Sequence, residues 1–312
     1  MGDIAIFSGS AHPDLAREIC RYLEVPLSPS RLTRFANDCL EVQLEANCRE
    51  RDVFLIQPIV APVQEHLMEL LLMLDAARGA SAARITAVMP HYAYARSDKK
   101  DAPRISIGGK LVADLLATAG AQRVLTMTLH SPQVHGFFSM PVDHLHALQE
   151  LARHFAAEDH SNTVVVSPDL GNAKEAAAFA RLLGAGVAAA AKQRFSGDRV
   201  EISAIIGEVS GRDVIVLDDE IAKGTTVIEL IAHLRRENVR SIRVACTHGL
   251  FANDAGRRIL AEAGVEELIT TNTAPISEKD RASGLKVLSV APALAEAIRR
   301  IHNGESVSAL FA

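Results

Sequence analysis

Four cysteines in 312 residues, Cys20, Cys39, Cys48 and Cys246, are too few and too scattered for a disulfide framework, and no two share a CxxC spacing. They read as reduced thiols, and a cytoplasmic location is expected. Positive charge is not in excess: 33 Lys and Arg stand against 38 Asp and Glu, a formal net charge of -5. Nonspecific nucleic-acid binding needs dense positive charge, so no nucleic-acid partner is expected, although local phosphate sites remain open. The most apolar stretch, 67–74, is broken by charge and too short for a bilayer, and no basic segment followed by an apolar one opens the chain. Membrane insertion and secretion are not expected. There is no Pro/Gly/Ser-rich linker, short-period repeat or low-complexity tract, only an alanine-rich stretch at 176–191 that suits close helix packing.

What is present is 48% hydrophobic residues, enough for a sizeable core, over a length that suggests two domains. Short apolar runs at 4–7, 53–56, 85–89 and 124–127 alternate with helical patterns at 13–23, 62–78 and 107–118. The helix after Pro62 sets Val63, Leu67, Leu70, Leu71 and Leu74 on one face. A second set of runs follows at 163–166, 187–191, 214–217 and 242–246. The rhythm predicts an α/β protein of two similarly built halves with mainly parallel sheets, divided near 143–150 into residues 1–146 and 147–312.

One stretch, 214–226, concentrates chemistry. Val214 to Leu217 are apolar and Asp218 and Asp219 follow at the strand's carboxyl end, the edge where open α/β sheets bind ligands. Ala222, Lys223 and Gly224 then form a small-residue turn, and Thr225 and Thr226 are placed to cap the helix carrying Val227, Leu230, Ile231 and Leu234. Free N–H groups at such a helix start suit a phosphate. The plain alternative is an N-terminal capping cluster.

Other residues gain meaning only together. Arg34, Phe35, Asn37, Asp38 and Cys39 lie in a polar loop, where Phe35 alone would simply pack against something. The segment 90–101 sets Tyr92, Tyr94, Arg96, Ser97, Asp98, Lys99, Lys100 and Asp101 after a buried strand; these groups suit a nucleotide triphosphate, or form a solvated charged loop. His130 and Asp169 leave strand ends in equivalent places; a single His there is either a structural residue or, with the carboxylate, a group that would help hold a divalent ion otherwise bound by phosphate and water. Lys192 and Arg194, two apart in an extended segment, project to one side ahead of a turn at 195–198, either to neutralise transferred charge or as an ordinary basic turn.

The joint pattern resembles the ribose-phosphate pyrophosphokinase, or PRPP synthase, family over nearly the whole chain. Arg34 and Phe35, the run from Glu65 through Leu71, Tyr94 and Arg96, Leu129 and His130, Gln133, Gly136 with Phe137 and Phe138, Ser167 with Pro168 and Asp169, and the acid pair carry it. The resemblance implies two type I phosphoribosyltransferase-like domains, and transfer of diphosphate from ATP to the C1 hydroxyl of ribose 5-phosphate with Mg2+. It implies that Phe35, Asn37, Cys39, Arg96, Ser97, Asp98 and Asp101 surround the nucleotide. Asp218 and Asp219 would hold the ribose diol, and Ala222, Lys223, Gly224, Thr225 and Thr226 the 5-phosphate. His130 and Asp169 would serve the magnesium site, Lys192 and Arg194 the transferred phosphate. It also implies a homo-oligomer, with Arg49 and the terminal 306–311 near a regulatory phosphate or ADP site. Asn37, Cys39, Ser97, Thr128, Leu170, Asn172 and the 222–226 loop depart from the common family pattern. These departures leave a noncatalytic regulatory subunit as one alternative; the acid pair alone would also suit a base-using phosphoribosyltransferase.

Overall fold

The computed structural model describes residues 3–194 and 200–310, which form two compact units. The first contains β1 (Ile4–Ser8), α1 (Pro13–Leu23), β2 (Ser30–Arg34), β3 (Leu40–Leu44), β4 (Asp52–Ile56), α2 (Val63–Gly79), β5 (Arg84–Met89), α3 (Gly108–Ala119), β6 (Arg123–Met127) and β7 (Val142–Leu145). Strands β1, β4, β5, β6 and β7 pair side by side in that order, all parallel. Every residue of β4 is buried, as expected for a strand covered on both faces. Strands β2 and β3 form a separate antiparallel hairpin where the sequence suggested only a polar loop.

The second unit contains α4 (Leu148–Phe155), β8 (Thr163–Ser167), α5 (Ala173–Leu183), β9 (Gly186–Arg194), β10 (Val200–Ile206), β11 (Asp213–Ile221), α6 (Thr225–Arg236), β12 (Ser241–Gly249), α7 (Ala255–Arg257), β13 (Glu267–Thr271), α8 (Glu278–Ala282) and β14 (Lys286–Leu288). Its sheet runs β10-β9-β8-β11-β12-β13-β14, parallel except for β10 against β9. Chain order reverses at β8, which lies between β9 and β11. That switch point is where an open α/β sheet leaves a crevice for a ligand.

The units share a local plan. Ile4 pairs with Asp52 and Thr163 with Asp213, so Ser8 corresponds to Ser167, Ser10 to Asp169 and Gln57 to Asp218. In the first unit this strand end is filled by its own side chains. Buried Glu69 accepts from the Ser10 amide (2.9 Å), the Ser10 hydroxyl (2.6 Å) and Gln57 Nε2 (2.6 Å), while Gln57 Oε1 accepts from the Ala11 amide (3.1 Å).

The compact units divide at 146/147, and the segment from Val290 joins the first unit. Helix α9 (Ala291–Asn303) and the residues after it belong to the first unit. Helix α9 packs on α1, and Arg84 donates to the carbonyls of Ile301 (3.3 Å) and His302 (3.0 Å) at its C-terminal end. Asp52, 3% exposed, accepts from the Arg84 guanidinium and bonds His302 Nδ1 at 2.9 Å. Among the described residues, no helix is long and apolar enough to cross a membrane.

Candidate active site

In the second unit, β11 pairs with β8 only as far as Val216, yet continues beside β12 through Ile221. Its last residues therefore have a strand neighbour on one side and an opening on the other. Asp218 and Asp219 stand there, and the Asp219 amide donates to Asp218 Oδ1 at 3.0 Å. Part of Asp218 is open, but its surroundings desolvate the carboxyl. That desolvation first, then the like charges of Asp219 and Asp169, pushes its pKa well above the ordinary 3.8. A cation or the hydroxyls of a diol would relieve this arrangement. Cys246, the strand partner of Asp218, is buried, and desolvation raises its pKa, so the thiol stays neutral.

Asp169 comes from the turn after β8. Its backbone carbonyl accepts from the Ser167 hydroxyl (2.6 Å), and its Oδ1 accepts from the Asn172 amide (3.1 Å). Asn172 Nδ2 reaches across to the Leu217 carbonyl at 3.2 Å, tying this turn to the base of the acid pair. Sequence marked Asn172 only as a departure from pattern; its bridging role needed the fold. Lys192, in the extended β9, places Nζ 3.8 Å from Asp169 Oδ2; its side chain is 12% exposed and that of Asp169 41%. Arg194 ends β9, and its side chain and the turn at 195–198 lie outside the described residues.

The loop after the acids leads into α6 through Gly224, not through a threonine cap. Gly224 takes φ +71° and occupies the N-cap, which makes Thr225 and Thr226 the first helical residues, with no side-chain capping bond. The left-handed conformation explains the difference, since glycine adopts it without a Cβ penalty. A Cβ at Gly224 would also lie 3.2 Å from Ala255 Cβ and Ile259 Cδ1. Ala222 is half-buried, Lys223 and Thr225 are exposed and Thr226 is half-buried. The amides opening this 12-residue helix supply the partial positive charge that suits a phosphate. Asp169, Lys192, the acid pair and the α6 start thus come from strands flanking one switch point.

In the first unit the remaining residues sit on three loops. Phe35, 48% exposed, is at the tip of the β2–β3 hairpin, where its amide donates to the Cys39 carbonyl (2.9 Å) and Asn37 Oδ1 accepts from the Cys39 amide (3.2 Å). Arg34 pairs with Asp38 (2.5 Å) and with Glu65. Beyond β5, Arg96 is exposed, Asp98 is half-buried, and Asp101 is exposed with its Oδ1 3.7 Å from Lys99 Nζ. Ser97 has its hydroxyl engaged: Oγ accepts from the Gly108 amide (2.8 Å) and its carbonyl from the Gly109 amide (3.0 Å), so it anchors the start of α3. Exposed His130 follows β6.

A mainly parallel sheet with an acid pair and a helix start at its switch point is a layout suited to a phosphorylated ligand. Comparison specifies it further: residues 4–120 match the N-terminal domain of ribose phosphate pyrophosphokinase, and residues 198–312 the phosphoribosyl synthetase-associated domain. A Streptomyces coelicolor protein provisionally named ribose-phosphate pyrophosphokinase is 73% identical over 311 residues, covering 100% of this chain and 98% of that protein. Ribose-phosphate pyrophosphokinase of Deinococcus radiodurans is 50% identical over 313 residues, covering 99% and 98%. The crystal structure of phosphoribosylpyrophosphate synthetase from Mycobacterium smegmatis superposes with a TM-score of 0.89 at 40% identity, covering 97% of this chain and 99% of that one. The chain belongs to the ribose-phosphate pyrophosphokinase family.

Proposed function

We propose that the chain transfers the diphosphoryl group of ATP to the C1 hydroxyl of ribose 5-phosphate, forming PRPP and AMP. The C1 oxygen bonds to the β-phosphorus, the bond from that phosphorus to the α-β bridging oxygen breaks, AMP departs with that oxygen, and the hydroxyl proton goes to solvent. The observation that carries this reading is the gathering of Asp169, Lys192, Asp218 and Asp219 beside the α6 start at one strand edge. Asp218 and Asp219 bind the 2- and 3-hydroxyls of ribose, and 222–226 binds the 5-phosphate through backbone amides, with Lys223 adding charge. Phe35 stacks on adenine, Asn37 and Cys39 border it, and Arg96, Ser97, Asp98 and Asp101 line the nucleotide loop. Lys192 and Arg194 neutralise charge on the transferred group, the main demand of phosphoryl-type transfer.

The donor set fits magnesium. Asp169 offers a hard, partly open carboxylate oxygen, the donor type magnesium takes, with phosphate and water left to complete its shell. Asp169 would hold Mg2+, and His130 would contact the phosphates or water around it. When bound, the ion supplies charge neutralisation at the phosphates. A homo-oligomer also fits, since Leu111 and Leu115, one turn apart on α3, are 57% and 39% exposed.

Lys192→Ala tests the reading against a noncatalytic subunit. We expect kcat for PRPP formation to fall at least ~100-fold with an unchanged circular dichroism spectrum. Undiminished turnover would remove Lys192 from the chemistry, and no turnover by folded wild-type protein would favour the regulatory alternative.

A further inference from the structure

Strand β6 runs into a turn that a threonine does not favour. Thr128 is 2% exposed and has φ +43°, in the left-handed region where a β-branched side chain crowds its own backbone. Such a conformation persists only where its surroundings impose it. Two hydrogen bonds to β7 do so. The Thr128 amide donates to the Leu145 carbonyl at 2.8 Å, and the Leu129 amide donates to Nε2 of His144, also at 2.8 Å.

The second bond fixes the state of the imidazole. An amide N–H needs a lone pair, so Nε2 of His144 is unprotonated and the neutral ring carries its hydrogen on Nδ1. The His146 ring lies against it, centroids 4.4 Å apart and tilted by 43°. Leu129 is 3% exposed, so water is a poor substitute acceptor for its amide. The next residue in the chain is His130.

We propose that His144 is a positioning residue whose Nε2 holds the Leu129 amide, fixes the turn at Thr128, and so aims His130 at the nucleotide phosphates. It acts through the backbone and touches no reacting atom. The proposal rests on the role given above to His130, but the clamp can be measured without activity.

The experiment compares wild type, His144→Ala and His144→Gln, the last of which keeps a neutral acceptor near the place of Nε2. Amide exchange followed by mass spectrometry over 127–131 reads the clamp; steady-state kinetics with ATP, ribose 5-phosphate and magnesium read its consequence. We expect His144→Ala to exchange at least about tenfold faster there and to lose about tenfold in kcat, with KM for ribose 5-phosphate within twofold of wild type. His144→Gln should recover most of both. If the alanine variant does not fold, His144→Leu keeps bulk against His146 without an acceptor and takes its place. Unchanged exchange and kcat on loss of the acceptor, or a glutamine variant no better than alanine, would overturn the proposal. Exchange that tracks the acceptor in a wild-type protein that makes no PRPP would uphold the clamp and overturn the reaction assigned above.

Discussion

At the scale of residues, the site keeps carboxyl groups where charge is hard to sustain. Asp218 is desolvated and faces Asp219 and Asp169, so folding raises its pKa. Below pH 3.8, the ordinary value, both the folded and unfolded states are protonated and the shift contributes nothing. As pH rises past it the unfolded chain ionises first, and stability is lost until the folded pKa is reached, after which the loss is constant. Asp218→Asn should therefore raise the melting temperature at pH 7–8 more than at pH 4, while lowering PRPP formation by on the order of 100-fold. Thermal melts at the two pH values check the sign; equal gains at both would contradict it. Gly224 is constrained differently, by φ +71° and by the nearness of Ala255 and Ile259. Gly224→Ala is expected to cost about 1–2 kcal/mol in urea denaturation and to raise KM for ribose 5-phosphate more than KM for ATP.

At the scale of elements, strands buried on both faces were legible because each is a continuous apolar run: the expected 53–56 and 163–166 became β4 and β8. The hairpin carrying Phe35 was not, for a physical reason. Neither β2 nor β3 has a buried residue, since each is exposed or half-exposed throughout, so no apolar run marks it. Strand β7 is only four residues long and includes Asp143 and His144, which hid it in the same way. The strand end, the turn and the helix around the acid pair were legible because a continuous apolar run, a glycine turn and a periodic apolar face mark them. The helix start was misread at one position, where Gly224 rather than a threonine caps α6. The bridge from Asn172 to the Leu217 carbonyl could not be read at all, because it joins residues 45 apart in sequence.

At the scale of the whole molecule, chain order does not fix which residues share a core. The last helix is contiguous with the second unit but is held in the first by Asp52, Arg84 and His302. Asp52→Ala would leave the Arg84 guanidinium and the His302 ring without their buried acceptor. Arg84 is 39% exposed in its side chain, which moderates the loss. A destabilisation of about 1–3 kcal/mol in urea denaturation is expected, with faster proteolysis after residue 290; unchanged cleavage would show that packing on α1 suffices alone.

The reaction itself is tested most directly by product stoichiometry. Purified protein is incubated with magnesium, ATP and ribose 5-phosphate, and nucleotides and sugar phosphates are separated by chromatography. Equal amounts of PRPP and AMP, both dependent on ribose 5-phosphate, are expected. ADP in place of AMP, or consumption of added PRPP with a nucleobase and release of diphosphate, would contradict diphosphoryl transfer.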